Sequence, residues 1–197
     1  LEMSGIQPVI YFTKTDLLTA RQREKLATVV AGYRAIPYDV IFPEQAFSSD
    51  ALTELRKLFS NKENVIMGQT GAGKSTLLNH LAPDLNLETG KISTALNRGK
   101  HTTRRVALLN VNDGLIADTP GFSSYDTFDI DFRALTNYFP EFKRAGVKCR
   151  FRGCMHVNEP DCEVKLEVQQ NKIMKSRYEN YLQLYTDIKN RKPNYKK

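Results

Sequence analysis

Gly68-Gln69-Thr70-Gly71-Ala72-Gly73-Lys74-Ser75 fits the pattern G-x-x-x-x-G-K-[ST], and its flanks decide the fold. Asn64–Met67 before it reads as a strand, and Lys74 to about Leu81 after it reads as a helix. Glycines in such a turn let successive backbone N–H groups point inward around the α- and β-phosphates of a nucleotide, and the helix N-terminus adds partial positive charge. Gly68, Gln69, Thr70, Gly71, Ala72 and Gly73 therefore form a phosphate cradle. Lys74 is expected to reach the β- and γ-phosphates, the Ser75 hydroxyl to ligate Mg²⁺, and Thr76 to close the first turn beside them.

Upstream, Val9–Phe12 and Tyr38–Phe42 read as strands. A helix capped by Thr19 covers Arg21–Gly32, with Leu26, Val29 and Val30 on one face, and a helix capped by Asp50 covers Ala51–Phe59. Downstream, residues 83–104 are rich in Pro, Gly, Thr and Asn and read as a long mobile loop, of the kind that usually carries function. Arg105–Val111 and Leu115–Asp118 flank Asn112-Asp113-Gly114, a hairpin turn, and a helix near Asp131–Tyr138 follows. Alternating strands and helices predict an α/β fold with a mostly parallel sheet and flanking helices. A cysteine-rich knot at 149–162, helical sequence to about Lys189 and a basic tail follow it.

Asp118-Thr119-Pro120-Gly121 ends a strand, so Asp118 is positioned to hold Mg²⁺, through water, and the Gly121 N–H to meet the γ-phosphate. Thr13-Lys14-Thr15-Asp16 also follows a strand. A carboxylate at Asp16 can accept two parallel hydrogen bonds from guanine N1–H and its amino group, which adenine cannot supply. Lys14 would lie along the base, and Ser48-Ser49 could present backbone N–H groups to guanine O6. Four polar residues are also what an ordinary surface loop looks like, so this motif gains weight only beside the phosphate cradle.

Cys149, Cys154, His156 and Cys162 are spaced C-x4-C-x-H-x5-C, and they include all three cysteines of the chain. Three thiolates and an imidazole suit a closed tetrahedral zinc site; one disulfide with a free thiol is the alternative. Charge divides along the chain. Residues 1–142 hold 15 Lys+Arg and 16 Asp+Glu, net −1, and residues 143–197 hold 14 and 6, net +8. A basic segment beside a neutral body is the footprint of a polyanion partner, or a solvated face kept for solubility. Tyr178, Tyr181 and Tyr185 at helical spacing in this segment read as packing residues. At 41% hydrophobic and 26% charged residues, the composition excludes a disordered chain, and no apolar run is long enough to span a bilayer. A monomer in the cytoplasm is expected.

The nucleotide motifs occur in an unusual order: base-reading elements first, then the phosphate loop, then Gly99-Lys100-His101-Thr102-Thr103, then Asp118–Gly121. This circularly permuted order, with Arg150-Phe151-Arg152-Gly153-Cys154 and Glu159-Pro160, resembles the RsgA/YjeQ family over nearly the whole chain. The resemblance implies a circularly permuted GTPase domain over residues 1–142 and a zinc-binding helical module with a basic tail over residues 143–197. It also implies hydrolysis of GTP to GDP, and as partners the small (30S) ribosomal subunit and its 16S rRNA. Thr13 stands where the family usually has Asn, which suggests lower guanine affinity. Thr102 and Thr103 match its switch threonines, one of which would close on Mg²⁺. The family's sixth strand and N-terminal barrel find no match here, so native upstream sequence is expected to be absent. Phe122 occupies the place of a water-orienting Gln, which predicts slow turnover accelerated by a partner. His101 is the candidate water-positioning group, or a plain loop histidine. Competing functions are an ATP-dependent P-loop enzyme and a non-enzymatic RNA-binding zinc module with a structural nucleotide.

Overall fold

The computed structural model describes residues 1–85, 107–111, 113–118 and 130–191. The chain forms two compact units. One comprises Leu1–Ile10, Glu24–Val40 and Asp126–Lys197; the other comprises Tyr11–Arg23 and Ile41–Tyr125. Among the described residues there are five strands: β1 Val9–Tyr11, β2 Asp39–Ile41, β3 Glu63–Val65, β4 Ala107–Val111 and β5 Gly114–Asp118. The six α-helices are α1 Ala20–Arg34, α2 Ser49–Phe59, α3 Lys74–Leu81, α4 Pro140–Gly146, α5 Glu163–Gln169 and α6 Lys175–Lys189. The segment Phe132–Tyr138 is a 3₁₀ helix.

β1 and β2 form a two-stranded sheet, and β3, β5 and β4 form a three-stranded one in that order. β3 runs parallel to β5 with Val65 opposite Ala117. β4 and β5 form the expected hairpin, antiparallel with Val111 opposite Gly114. Asn112, in its turn, lies outside the described residues. The parallel register matters for function: the loop after β3 and the end of β5 at Asp118 emerge at the same carboxyl edge, where α/β sheets place their ligands.

Local chemistry sets the helix starts. Thr19 and Gln22 form a capping box, with Thr19 N donating to Gln22 Oε1 at 2.9 Å and Gln22 N donating to Thr19 Oγ1 at 3.3 Å. For α2 the cap is Ser48, not Asp50. Ala51 N donates to Ser48 Oγ at 3.4 Å, and Asp50 sits inside the first turn, where its charge favours the positive end of the helix. On α1, Val30 is buried, but Val29 is 36% exposed, so the apolar stripe is narrower than its sequence suggests.

In the unit holding the phosphate loop, Leu52 and Leu55 of α2 and Leu77, Leu78 and Leu81 of α3 are buried, as are Val111 and Ile116 of the hairpin. Asn64 ties its sheet to the end of α2, donating through Nδ2 to the carbonyls of Phe59, Lys62 and Leu115 at 3.0, 3.0 and 3.2 Å. Gly114 is required at this junction: a Cβ there would lie 2.3 Å from the Phe59 carbonyl oxygen. Backbone cannot step aside as a flexible side chain can, so Gly114→Ala should destabilise by about 3 kcal/mol, at the upper end of ordinary overpacking costs. Thermal melting checks this; an unchanged midpoint would refute it.

The other unit is centred on Phe142, Val164 and Tyr181, all with 0% exposure. Phe139 meets the Tyr181 ring edge-on at 5.3 Å. Tyr181 is thus core, and Tyr178 and Tyr185 pack against the same cluster, as expected of packing residues. Two cations of the basic segment are also structural. Arg177 forks onto buried Glu141 and lies 5.0 Å from the Phe139 ring centroid, and Arg144 meets buried Glu167 at 2.5 Å.

Candidate functional site

The turn between β3 and α3 has the backbone its glycines allow. Gly71 and Gly73 take φ of +79° and +89°, and Gly73 caps α3 in the left-handed region. Lys74 Nζ folds back over the turn, donating to the carbonyls of Gly68 at 2.6 Å and Gln69 at 2.8 Å. The ammonium is thereby held above the ring of backbone that would receive phosphates. Ser75 is buried in the first turn of α3, beside Thr76.

The loop after β1 reaches this turn directly. Thr13 Oγ1 donates to the Ala72 carbonyl at 2.7 Å, across 59 positions of sequence. Thr13, at the position where the resembled family usually has Asn, thus still makes a hydrogen bond to the phosphate loop. Lys14 adopts the left-handed conformation with φ +57°, opening a 3₁₀ turn over Thr15–Leu17 that leaves Lys14 and Asp16 exposed and buries Thr15. At the start of α2, Ser48 N donates to the Gln45 carbonyl at 3.1 Å, so this N–H is already engaged within its own loop. Ser49, next along, is exposed at the N-terminal end of α2.

Sequence reading overlooked Arg23. Its guanidinium donates to the carbonyls of Thr15, Glu44 and Pro43 at 2.9, 2.8 and 3.4 Å, joining the loops that follow β1 and β2. No signal in the sequence distinguishes it from the other cations on α1. His101, Thr102, Thr103, Gly121 and Phe122 lie outside the described residues. Asp118 is described as the end of β5 only.

Cys149, Cys154, His156 and Cys162 come together as their spacing predicts, with all ligand atoms within 4.8 Å of one another. The three cysteines are free thiols. The Sγ atoms of Cys149 and Cys162 are 3.9 Å apart, and His156 Nδ1 lies 3.7 and 3.4 Å from them. A tetrahedral zinc site with ordinary bond lengths has S–S and S–N edges of about 3.8 and 3.6 Å, so the cluster fits that ion. Nδ1 is the ring nitrogen that faces the thiols and would bind a metal, since Nε2 lies 3.0 Å from Thr136 Oγ1. That partner orients the ring as outer hydrogen bonds orient metal-binding histidines.

The loop carrying these ligands is held from both sides. The Glu159 carboxylate accepts from Met155 N at 2.8 Å and Val157 N at 2.9 Å, and such backbone hydrogen bonds outweigh its burial and lower its pKa. Tyr181 and Tyr178 donate their hydroxyls to the carbonyls of Met155 and His156 at 2.6 and 2.7 Å. Burial pushes the Cys154 thiol up to about 12, raises Cys162, and lowers His156. A buried cation is what would reverse the first two and let thiolates persist here.

The fold and the phosphate-loop turn define a class: a P-loop protein of α/β architecture in which the Thr13–Asp16 loop precedes the phosphate loop in sequence, the order of a circularly permuted GTPase. A sequence model described as RsgA GTPase matches residues 1–128. The chain is 56% identical over 197 residues to the small ribosomal subunit biogenesis GTPase RsgA of Limosilactobacillus fermentum, covering all of this chain and 67% of that protein. It is 55% identical to RsgA 1 of Lactiplantibacillus plantarum, covering 66% of that one. Among solved structures, YloQ, described as a circularly permuted GTPase, superposes with a TM-score of 0.78 at 36% identity, over 98% of this chain and 61% of that one. YjeQ from Thermotoga maritima gives 0.77 at 29%, over 97% and 63%. This chain belongs to the RsgA GTPase family. It spans about two thirds of the length of the curated relatives it matches.

Among the described residues no helix is long and apolar enough to cross a membrane.

Proposed function

We propose that this chain binds GTP, hydrolyses it to GDP and assists late maturation of the small ribosomal subunit, slowly alone and faster on the subunit. The observation that carries the reading is the Thr13–Ala72 hydrogen bond, which joins the loop bearing Lys14 and Asp16 to the phosphate cradle. In this reading Gly68–Gly73, Lys74 and Thr76 hold the phosphates, and Ser75, Asp118 and one of Thr102 and Thr103 hold Mg²⁺. Asp16 reads guanine, with Ser49 rather than Ser48 free to meet the base oxygen. Gly121 senses the γ-phosphate and His101 positions the attacking water.

Functionally, residues 1–142 handle the nucleotide. Residues 143–197 form a zinc-held module whose remaining exposed cations face 16S rRNA. The protein acts as a cytoplasmic monomer away from membranes. Zinc would be held by Cys149, Cys154, His156 and Cys162, and its chemistry there is structural. Phosphate release from GTP, measured with and without purified small subunits, tests the reading, with ATP and large subunits as controls. Strong stimulation by small subunits alone is expected. Equal turnover of ATP would overturn the guanine assignment, and indifference to small subunits the ribosomal one.

A further inference from the structure

Two loops contribute the groups proposed to read the base, Thr13–Asp16 after β1 and the stretch leading to Ser49 after β2. Neither is secured by its own side chains alone. Thr15 has 1% exposure, yet its hydroxyl has no hydrogen-bond partner among the described residues. What holds the backbone of Thr15 is its carbonyl, which accepts from Leu18 N at 3.3 Å and from Arg23 Nη2 at 2.9 Å. The same Nη2 donates to the Glu44 carbonyl at 2.8 Å, and Nη1 donates to Pro43 at 3.4 Å. The guanidinium also lies 5.2 Å from the Phe42 ring centroid, and Phe42 meets Phe12 edge-on at 5.4 Å. Tyr11 adds a second tie by donating its hydroxyl to the Ala46 carbonyl.

A planar fork with fixed donor directions suits this task, because one group satisfies carbonyls from two chain segments at once. Arg23 is itself anchored by the capped first turn of α1, where its N–H donates to the Thr19 carbonyl at 2.9 Å.

We propose that Arg23 is a positioning residue for guanine recognition: it locks the Thr13–Asp16 loop and the loop ending at Ser49 into one arrangement, and so sets the preference for guanine over adenine nucleotides without touching either. The proposal rests on the nucleotide reading above. The phosphate cradle is built on β3 and α3, and its glycine turn keeps its shape from its own torsions, with the Thr13–Ala72 hydrogen bond as its tie to the loop. Nucleotide affinity that comes from phosphates alone therefore depends on Arg23 far less than base reading does.

Equilibrium binding of fluorescently labelled GDP and ADP to the full chain, well below each variant's melting temperature, tests it with Arg23→Met, Arg23→Lys and Asp16→Asn. If losing the fork leaves about one molecule in ten in the reading arrangement, apparent GDP affinity falls about tenfold. ADP affinity should change far less. Lysine keeps the charge but not the fork, so Arg23→Lys should show a smaller drop in the same GDP-to-ADP ratio, and this carries the test if Arg23→Met does not fold. A parallel loss for both nucleotides would reduce Arg23 to a stabilising stitch and overturn the proposal. So would an unchanged ratio in both variants while Asp16→Asn abolishes the preference, which would leave the guanine reading intact. A wild-type chain with no preference for GDP would overturn both together.

Discussion

Cys162→Ser should unpack the whole cluster around Phe142 and Tyr181, not merely the loop that carries it. Cys154, His156 and Cys162 are buried members or neighbours of that core, and Val164 follows two residues later with 0% exposure. The ligand loop spends its backbone carbonyls on α6: Met155 and His156 accept the Tyr181 and Tyr178 hydroxyls. Releasing the loop therefore strands the buried Tyr181 hydroxyl and the half-buried Tyr178 hydroxyl as well as the Cys/His cluster. In the proposed zinc-bound state, removing one ligand from this buried site costs about 4 kcal/mol, which lowers the melting midpoint of a chain this size by about 10 °C. Chelation should act more strongly, since the binding energy of a structural metal is folding energy. Near-ultraviolet circular dichroism and metal content by mass spectrometry would follow both. Full retention of the tyrosine signal after stoichiometric metal loss would show that packing alone holds this region.

Lys74→Ala should cut GTP turnover by a factor of about 10²–10³ while leaving the fold nearly untouched. Among the described residues the ammonium bonds only to carbonyls of its own turn, Gly68 and Gln69, and Lys74 is half-buried, so its loss leaves no buried partner there unsatisfied. When phosphates arrive, the same ammonium is placed to neutralise charge that builds in the transition state. Removing one such donor costs a factor of about 10²–10³ in turnover. Phosphate release under single-turnover conditions, compared with the melting midpoint, separates the two effects. Persistent turnover at the wild-type rate would mean that hydrolysis occurs elsewhere.

Much of the candidate site was legible because its requirements are local. A turn that needs left-handed torsions at Gly71 and Gly73 shows itself in the residues at those positions. Four soft ligands within 14 residues can converge with little chain to close, and they do. The hairpin at Gly114 is equally local. Helix starts were less secure, since Ser48 and Asp50 are both good caps and only the backbone at that corner distinguishes them. Val29 was misjudged for a related reason: helical spacing defines a stripe, but neighbouring elements decide how wide a stripe is covered.

What the sequence by itself determined is the P-loop, the permuted order of the nucleotide motifs, the Cys/His set that clusters and the division of charge. All of these are patterns of residue type along the chain, and they survive any packing that keeps the local backbone. Tertiary structure alone decided which distant pieces meet. Thr13 reaches Ala72, Arg23 spans the loops after β1 and β2, Thr136 engages His156 Nε2, and Tyr178 and Tyr181 clamp the loop at Met155 and His156. Apart from the Thr136–His156 contact, these are hydrogen bonds from polar side chains to main-chain carbonyls of other segments. A carbonyl accepts equally well whatever side chain its residue bears, so nothing in the residue sequence marks which one will be used.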